Sequence, residues 1–398
     1  MSKANKGRTA AIRALMAVDE GSHVEDTLDQ HAPRGGPDRG LAWHLALGTL
    51  RWRGALDSSL QPFLKTPVDR LDPAVKWAMR MGLFEVHCSR TPSRAAVHQA
   101  VEVTKAVGFR RASGMVNAVL RRASGAPLND DAAVCLPPWL YERWGKYEGW
   151  LKRIREPASI SVCGTPPHGI EMQPAQLDGD DYPDIWTLSD NVGDITRLDG
   201  FDEGLFWVMD PSAAKVADLV SKSVGPSGRV LDACAAPGGK TFRMIQSGLD
   251  VTACDISHER LNLMNTNLTR LRMKAELSVH DWIEGPMGDV PLFDAVLVDA
   301  PCTGLGVVRR HPEIIWRRQP GDPAAMSVTQ RVILKHAAAH VKPGGALIYS
   351  VCSMEPEEGV QVIESLAGWE VENRWASIPP IGDEDGFQVF VLRRLTEI

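Results

Sequence analysis

The chain has 398 residues, of which 44% are hydrophobic and 24% are charged. These values are ordinary for a globular protein, and the length suits two or three domains. No run reaches the roughly 18 apolar residues that a membrane helix needs, and Met1–Ala10 is polar and basic, unlike a secretory signal. The seven cysteines form no CxxC pair, so we expect neither a metal site nor disulfides, and we expect a cytoplasmic protein.

The net charge of −6 is unevenly distributed. Residues 1–125 carry 19 Lys and Arg against 11 Asp and Glu, whereas the remainder carries 25 against 39. A basic region is where a polyanion such as RNA would dock. A solvated helical surface would have the same composition, so charge alone leaves both interpretations open.

Helical periodicity dominates the first part of the chain. Apolar residues recur every three or four positions, and strand-like alternation is absent. The segments are 11–18, 41–50, 74–86, 95–107 and 115–120. The break Ser124–Pro127 predicts a boundary that ends an all-α domain at residue 126.

The next segment, 127–204, is predicted to be a linker or a small α+β subdomain. Trp139–Arg155 has a helical pattern. Residues 157–210 are rich in acids and contain a single Lys or Arg, namely Arg197. We expect short strands and loops there, packed against the following domain.

From residue 205 onward, apolar runs alternate with helical stretches. Strands separated by helices predict βαβ units and a mostly parallel sheet. The predicted strands are Val230–Asp232, Val251–Asp255, Phe293–Asp299 and Ala346–Val351, and the helices between them are Thr241–Ser247, His258–Arg272 and Ser327–Val341.

The segment DACAAPGGKT, residues 232–241, predicts a glycine-rich turn between a strand and a helix. Such a turn lets a ligand approach the backbone and the free N–H groups at the helix start. Asp255 ends the next strand, where an acid can bind a ribose, so an adenosine-containing cofactor is indicated. The spacing is neither GxGxxG nor a Walker loop, which disfavours a nicotinamide oxidoreductase, and a turn without a ligand stays open.

Two cysteines follow predicted strands at the same edge of the sheet. Cys302 comes just after Asp299, and Cys352 directly follows Val351. Carboxyl ends of parallel strands form the ligand edge, although any single cysteine is more often a buried apolar residue. A thiolate that adds to carbon 6 of cytosine makes carbon 5 nucleophilic, and a second group can assist release. Asp299 is placed to stabilise such an adduct.

These residues resemble a known family. DACAAPGGKT (232–241), DAPCTGLGVVRRHPEIIW (299–316) and YSVCSMEPEEG (349–359) are similar to motifs I, IV and VI of the Nol/Nop/Sun RNA cytosine-C5 methyltransferases. GTLRWRGALD (48–57) and VNAVLRRAS (116–124) resemble the NusB-like RNA-binding domain of the bacterial RsmB (Sun/Fmu) branch.

The resemblance implies an all-α NusB-like domain over 1–126 and a Rossmann-like class I methyltransferase domain over 205–398. It implies transfer of a methyl group from S-adenosylmethionine to carbon 5 of a cytosine in RNA, with 16S ribosomal RNA as the expected substrate. No membrane and no obligate protein partner are expected.

The resemblance also implies roles for individual residues. The motif VI cysteine, Cys352, would be the nucleophile, and the motif IV cysteine, Cys302, would help release the product. Asp299 would lie between the donor and the base. The expected cofactor-binding residues are Cys234, Ala235, Ala236, Pro237, Gly238, Gly239, Lys240, Asp255, Asp281 and Asp299.

Three positions depart from the family pattern. Val351 and Gly359 stand where motif VI usually has Thr and Asn, and Gln388 follows Asp385-Gly386-Phe387 where a second aromatic is common.

Four alternative functions stay open at this stage: an RNA-binding scaffold with an inactive methyltransferase domain, methylation of tRNA, a DNA cytosine methyltransferase, and a nicotinamide oxidoreductase.

Overall fold

A computed structural model of the chain describes residues 5–189, 192–380 and 382–394. The first four residues of the basic N-terminal segment therefore lie outside the described residues. The chain forms two compact units. One contains Met1–Pro157 and Val308–Arg317, and the other contains Ala158–Val307 and Arg318–Ile398. No helix among the described residues is both long and apolar enough to cross a membrane.

The helices follow the apolar periodicity of the sequence. In chain order they are α1 Lys6–Asp19, α2 Val24–His31, α3 Pro37–Arg51, α4 Arg53–Leu60, α5 Pro73–Cys88, α6 Ser93–Ala106, α7 Ser113–Ala123, α8 Ala132–Cys135, α9 Pro138–Trp144, α10 Glu148–Arg153, α11 Pro211–Val224, α12 Gly239–Gln246, α13 His258–Arg270, α14 Glu313–Arg317, α15 Asp322–Ala338 and α16 Val360–Ile363. Short 3-10 turns lie at Gln61–Phe63, Val68–Arg70, Arg110–Ala112 and Ile195–Arg197.

The first unit is helical. Its core is built from fully buried side chains of α1, α3, α4 and α5, such as Leu15, Leu50, Leu56 and Trp77. Each of the five predicted helical segments corresponds to one of its helices, to within one residue at the end of α6, which confirms the all-α prediction. The predicted helix Trp139–Arg155 is two short helices, α9 and α10, because the chain turns between them.

Strands occur only in the second unit among the described residues. They are β1 Ser161–Gly164, β2 Met172–Leu177, β3 Asp180–Leu188, β4 Phe206–Val208, β5 Arg229–Asp232, β6 Asp250–Asp255, β7 Glu276–Val279, β8 Phe293–Asp299, β9 Val341–Val351, β10 Trp369–Ala376 and β11 Gln388–Arg394.

Seven strands form one sheet in the order β10-β11-β9-β8-β5-β6-β7. The strands from β9 to β7 in this order are parallel to their neighbours, whereas β11 is antiparallel to β9 and β10 is antiparallel to β11. Helices cover apolar strands on both faces, as a parallel sheet requires. The mostly parallel Rossmann-like sheet is therefore confirmed.

The four predicted strands are present in this sheet. β9 starts five residues earlier than predicted, because Val341 already pairs with Phe293 and the Gly344 turn is accommodated as a register shift. β7, β10 and β11 had not been predicted.

The acidic stretch forms a separate sheet with the order β2-β3-β1-β4, in agreement with the expected short strands. It shares a core with α12 and α13, through residues such as Trp207, Phe242 and Leu261.

The contacts divide the chain differently from the three predicted domains, 1–126, 127–204 and 205–398. α8–α10 belong to the helical unit, in which α8 contacts α4, whereas β1–β4 belong to the second unit.

The later segment Val308–Arg317 belongs to the helical unit. Within that unit, the guanidinium of Arg51 donates two hydrogen bonds to the carbonyl oxygen of Arg309, at 2.8 and 3.1 Å. The indole of Trp316 donates to the carbonyl oxygen of Leu50 at 2.9 Å. The unit is therefore completed by residues that follow the Cys302 loop along the chain.

Candidate active site

The predicted site residues lie at one edge of the seven-stranded sheet. β5, β6 and β8 end at Asp232, Asp255 and Asp299, and Cys352 directly follows β9. These four strands are parallel, so their carboxyl ends meet at the same edge. The parallel register pairs Asp299 with Ser350, two residues before Cys352.

The glycine-rich turn joins β5 to α12. Gly238 has φ +113°, and a Cβ there would collide with Phe242 and Met264, so only glycine fits. A Cβ on Gly239, the first residue of α12, would meet open space. The turn thus leaves room beside the N-terminus of a helix, where backbone N–H groups are free to bind a ligand.

Asp232 lies under this turn and is almost fully buried. One carboxylate oxygen accepts a hydrogen bond from the Thr241 hydroxyl at 2.7 Å, and the other is buried without a partner among the described residues. Burial raises the pKa of Asp232 to about 7.

Asp255 is the last residue of β6, and Asp281 lies in the segment that follows the neighbouring strand β7. The backbone N–H of His280 donates to the carbonyl oxygen of Asp255 at 3.1 Å, which joins the end of β6 to the segment after β7. The Asp255 carboxylate accepts from Ala236 N at 3.1 Å, so it is also fixed against the glycine-rich turn. These contacts bring three predicted cofactor residues together.

Two isoleucines beside these acids are exposed. The side chains of Ile256 and Ile283 are 63% and 54% exposed, which is unusual for large apolar residues. Sequence reasoning missed both residues. The sequence feature that could have identified them is their position, one residue after Asp255 and two residues after Asp281.

Asp299 is held by two partners. Lys240 Nζ lies 2.6 Å from one carboxylate oxygen, and the Ser350 hydroxyl donates to the other at 2.5 Å. Burial lowers the pKa of Lys240, but the Asp299 carboxylate together with smaller contributions from neighbouring acidic groups outweighs burial, and the net pKa is raised. Lys240 is therefore a cation fixed at the sheet edge. Ser350, like the two isoleucines, was not among the residues predicted from the sequence.

The two cysteines are in contact. Cys302 Sγ and Cys352 Sγ lie 3.3 Å apart, and both residues are half-buried. The hydrogen bond to Cys352, together with burial, raises the pKa of Cys302 well above the usual thiol value. Cys302 therefore keeps its proton and can donate it toward Cys352.

Cys234 lies in the turn but differs from this pair. Burial raises its pKa well above the usual value, and three nearby aspartates add to the effect. A thiol in that environment is a poor nucleophile, since the thiolate is the reactive form.

Within the described residues, no three His, Cys, Asp or Glu side chains are grouped to hold a metal ion.

A Rossmann-like sheet with this turn, these acids and this thiol pair at its ligand edge fits the class of methyltransferases that use S-adenosylmethionine. Comparison with known proteins narrows the class. The profile of the 16S rRNA methyltransferase RsmB/F family matches residues 223–379, and that of the NusB family matches residues 5–124. The chain belongs to the RsmB/F methyltransferase family.

Individual relatives cover most of the chain. Ribosomal RNA small subunit methyltransferase B of Pseudomonas putida is 32% identical over 90% of this chain and 88% of its own length. The protein of the same name from Xanthomonas campestris pv. campestris is 32% identical over 95% of this chain and 91% of its own. The crystal structure of PH0851 matches with a TM-score of 0.81, covering 99% of this chain and 100% of that one at 20% identity, a likeness in fold.

Proposed function

We propose that this enzyme methylates carbon 5 of a cytosine in 16S ribosomal RNA, with Cys352 attacking carbon 6 of the base and Cys302 assisting release. The observation that carries the proposal is the contact between the two sulfur atoms, 3.3 Å apart at the ligand edge of the sheet. Methyl transfer to a nitrogen or an oxygen needs no thiol, whereas carbon 5 of cytosine becomes nucleophilic only after addition at carbon 6.

The reaction balances with these groups. The sulfur of Cys352 bonds to carbon 6, the proton of its thiol goes to the ring nitrogen N3, and carbon 5 takes the methyl group. The proton on carbon 5 then leaves to a base, and its bonding electrons restore the C5–C6 double bond. The S–C6 bond breaks with its electron pair on sulfur, and the N3 proton returns to that sulfur, which regenerates the thiol of Cys352 and leaves neutral 5-methylcytosine. Cys302, which keeps its proton, donates a hydrogen bond to the departing sulfur.

Asp299 is assigned the role of binding the cytosine ring in the adduct. Its carboxylate is oriented by Lys240 and Ser350, and Ser350 precedes Cys352 by two residues in β9. A carboxylate held in this way can accept a hydrogen bond from the protonated N3 of the adduct. Preorganised charge of this kind acts without rearrangement during the reaction.

The residues around the turn fit the methyl donor. S-adenosylmethionine would supply an electrophilic methyl group on a sulfonium. Residues 234–240 would hold its methionine part, and Asp255 and Asp281 would hold its ribose and adenine. The exposed isoleucines beside these two acids support this assignment, because an apolar face next to a hydrogen-bonding carboxylate matches an adenosine.

The helical unit supports an RNA substrate. Between Ser89 and Asn129 the chain has seven Lys and Arg residues against one acid, Glu102. α6 and α7 form a groove lined in part by Arg94, His98 and Arg121, which are exposed. Phosphate contacts of this kind supply most of the affinity for a nucleic acid. We expect the enzyme to act in the cytoplasm, on small-subunit ribosomal RNA.

The test combines purified protein, labelled S-adenosylmethionine and 16S rRNA from a strain that lacks the gene. We expect label in 16S rRNA and one new cytosine that resists bisulfite conversion. A tRNA pool serves as the parallel substrate. Absence of label in 16S rRNA would overturn the proposal. Label in tRNA alone would show that tRNA, and not 16S rRNA, is the substrate.

A further inference from the structure

Glu358 is a fully buried carboxylate close to the two cysteine loops. One oxygen accepts hydrogen bonds from the backbone N–H of Thr303 at 2.8 Å and from Gln330 Nε2 at 3.1 Å. The other accepts from the Ser353 hydroxyl at 2.5 Å and from the Thr303 hydroxyl. All four donors point at one charge, an arrangement that stabilises a buried carboxylate.

These partners directly follow the two cysteines. Thr303 comes after Cys302, and Ser353 comes after Cys352. One side chain therefore fixes the residue next to each sulfur. Thr303 and Ser353 are themselves fully buried, so no water competes for the same bonds.

Two further contacts secure Glu358 itself and the segment before Cys302. Gln330 Nε2 also donates to the carbonyl oxygen of Pro301 at 3.0 Å. The Tyr349 hydroxyl donates to the carbonyl oxygen of Glu358 at 2.7 Å. Pro301 and Thr303, on either side of Cys302, are thus both connected to the same carboxylate.

We infer that Glu358 is a positioning residue that holds Cys302 and Cys352 at reacting distance by fastening both loops to one carboxylate. This inference rests on the proposed function for its effect on catalysis. Its structural part, the distance between the sulfurs, is independent of any RNA. Glu358 touches neither sulfur and acts through Thr303 and Ser353.

The first measurement is steady-state methylation by three variants. Glu358→Ala leaves buried donors without an acceptor, and we expect kcat to fall by about 100-fold, with KM for S-adenosylmethionine within about twofold. Glu358→Gln retains an acceptor oxygen, and the hydroxyls of Thr303 and Ser353 can accept from its amide, so we expect a loss of only about fivefold. Thr303→Val removes one hydroxyl and should cost about tenfold.

The matched control is Glu364→Ala. Glu364 is exposed and lies six residues further along the chain. Its loss removes a carboxylate from the same segment without touching either cysteine loop. We expect wild-type values for this variant in every measurement.

The second measurement reports the distance between the sulfurs without any RNA. Diamide takes two electrons and two protons from the thiols of Cys302 and Cys352, becomes a hydrazine and leaves a disulfide between them. Two thiols held in contact react at a high effective concentration. We expect the Cys302–Cys352 disulfide, quantified by peptide mass spectrometry, to form at least about tenfold more slowly in Glu358→Ala and more slowly in Thr303→Val.

The outcomes separate the two proposals. Slower disulfide formation together with a lower kcat supports the positioning role. Wild-type disulfide rates in both Glu358→Ala and Thr303→Val would overturn it. If Glu358→Ala does not fold, Thr303→Val decides between these results. A wild-type enzyme that methylates no RNA contradicts the proposed function, while the disulfide rates still decide the role of Glu358.

Discussion

The side-chain amide of Gln388 occupies the space directly beside the α-carbon of Gly359. Any side chain at position 359 would collide with it. Gln388 Nε2 donates to the carbonyl oxygens of Ser353 and Glu355, at 2.9 and 3.0 Å. The two departures from the family pattern at positions 359 and 388 are therefore linked. The Gln388 amide fills the space into which an Asn side chain at position 359 would extend.

This contact predicts a coupled pair of substitutions. Gly359→Asn should destabilise the fold by about 1–3 kcal/mol through overpacking. Gln388→Phe should also destabilise it, because two buried carbonyl oxygens lose their donor. The double variant should lose less free energy of unfolding than the sum of the two, measured by urea denaturation. Strict additivity would contradict this interpretation.

Asp232 predicts a pH-dependent stability. The carboxyl has a pKa of about 7 when folded and 3.8 as its ordinary value, so between these pH values the folded state holds a proton that the unfolded state has released. The contribution of this proton to the free energy of unfolding is complete below about pH 3.8 and is lost as the pH rises through about 7.

Asp232→Asn is uncharged at every pH and can still accept from Thr241. Its free energy of unfolding relative to wild type should therefore increase from pH 4 to pH 7 by up to about 4 kcal/mol, and then level off. Urea denaturation at several pH values measures the difference. Parallel pH profiles for the two proteins would show that Asp232 is ionised in the folded state.

The thiol of Cys302 provides a third prediction. The largest cause of its raised pKa is the hydrogen bond to Cys352. Cys352→Ala removes that partner, so the pKa of Cys302 should fall and its alkylation by iodoacetamide should begin at a lower pH. Cys254, whose pKa burial raises to about 12, is the internal reference and should not change. An unchanged profile for Cys302 would mean that burial alone sets its pKa.

The exposed isoleucines predict a loss confined to cofactor binding. Ile256→Ala and Ile283→Ala should each weaken binding of S-adenosylmethionine by about 5- to 30-fold in calorimetry, because less apolar surface is covered by the adenosine. Val328→Ala is the control, since Val328 is 61% exposed on α15. Equal affinities for all three variants would remove the isoleucines from the cofactor site.

Sequence alone predicted the strands that position the site. β5, β6 and β8 are short, apolar and buried, and each ends in an acid, so both their existence and their ends were visible. β10 was not, because most of its side chains are exposed and it pairs only at the edge of the sheet. Its pairing with β11 joins segments that local pattern does not connect.

The site was also predictable only in part, because some of its contacts join segments that are far apart along the chain. The residues of motifs I, IV and VI are contiguous and could be identified from their order. The links between motifs are side-chain contacts across 50 or more positions, such as Ser350 with Asp299 and Glu358 with Thr303. Spacing along the chain carries no information about such contacts. The return of Val308–Arg317 to the helical unit is a further long-range contact of this kind.

Covalent trapping on RNA tests the central claim most directly. Cys302→Ala and Cys352→Ala are each incubated with S-adenosylmethionine and 16S rRNA and then separated on a denaturing gel. Because Cys352 is assigned the attack and Cys302 the release, Cys302→Ala should accumulate a protein–RNA adduct and Cys352→Ala should form none. An adduct with Cys352→Ala but not with Cys302→Ala would contradict the account and exchange the roles of the two cysteines.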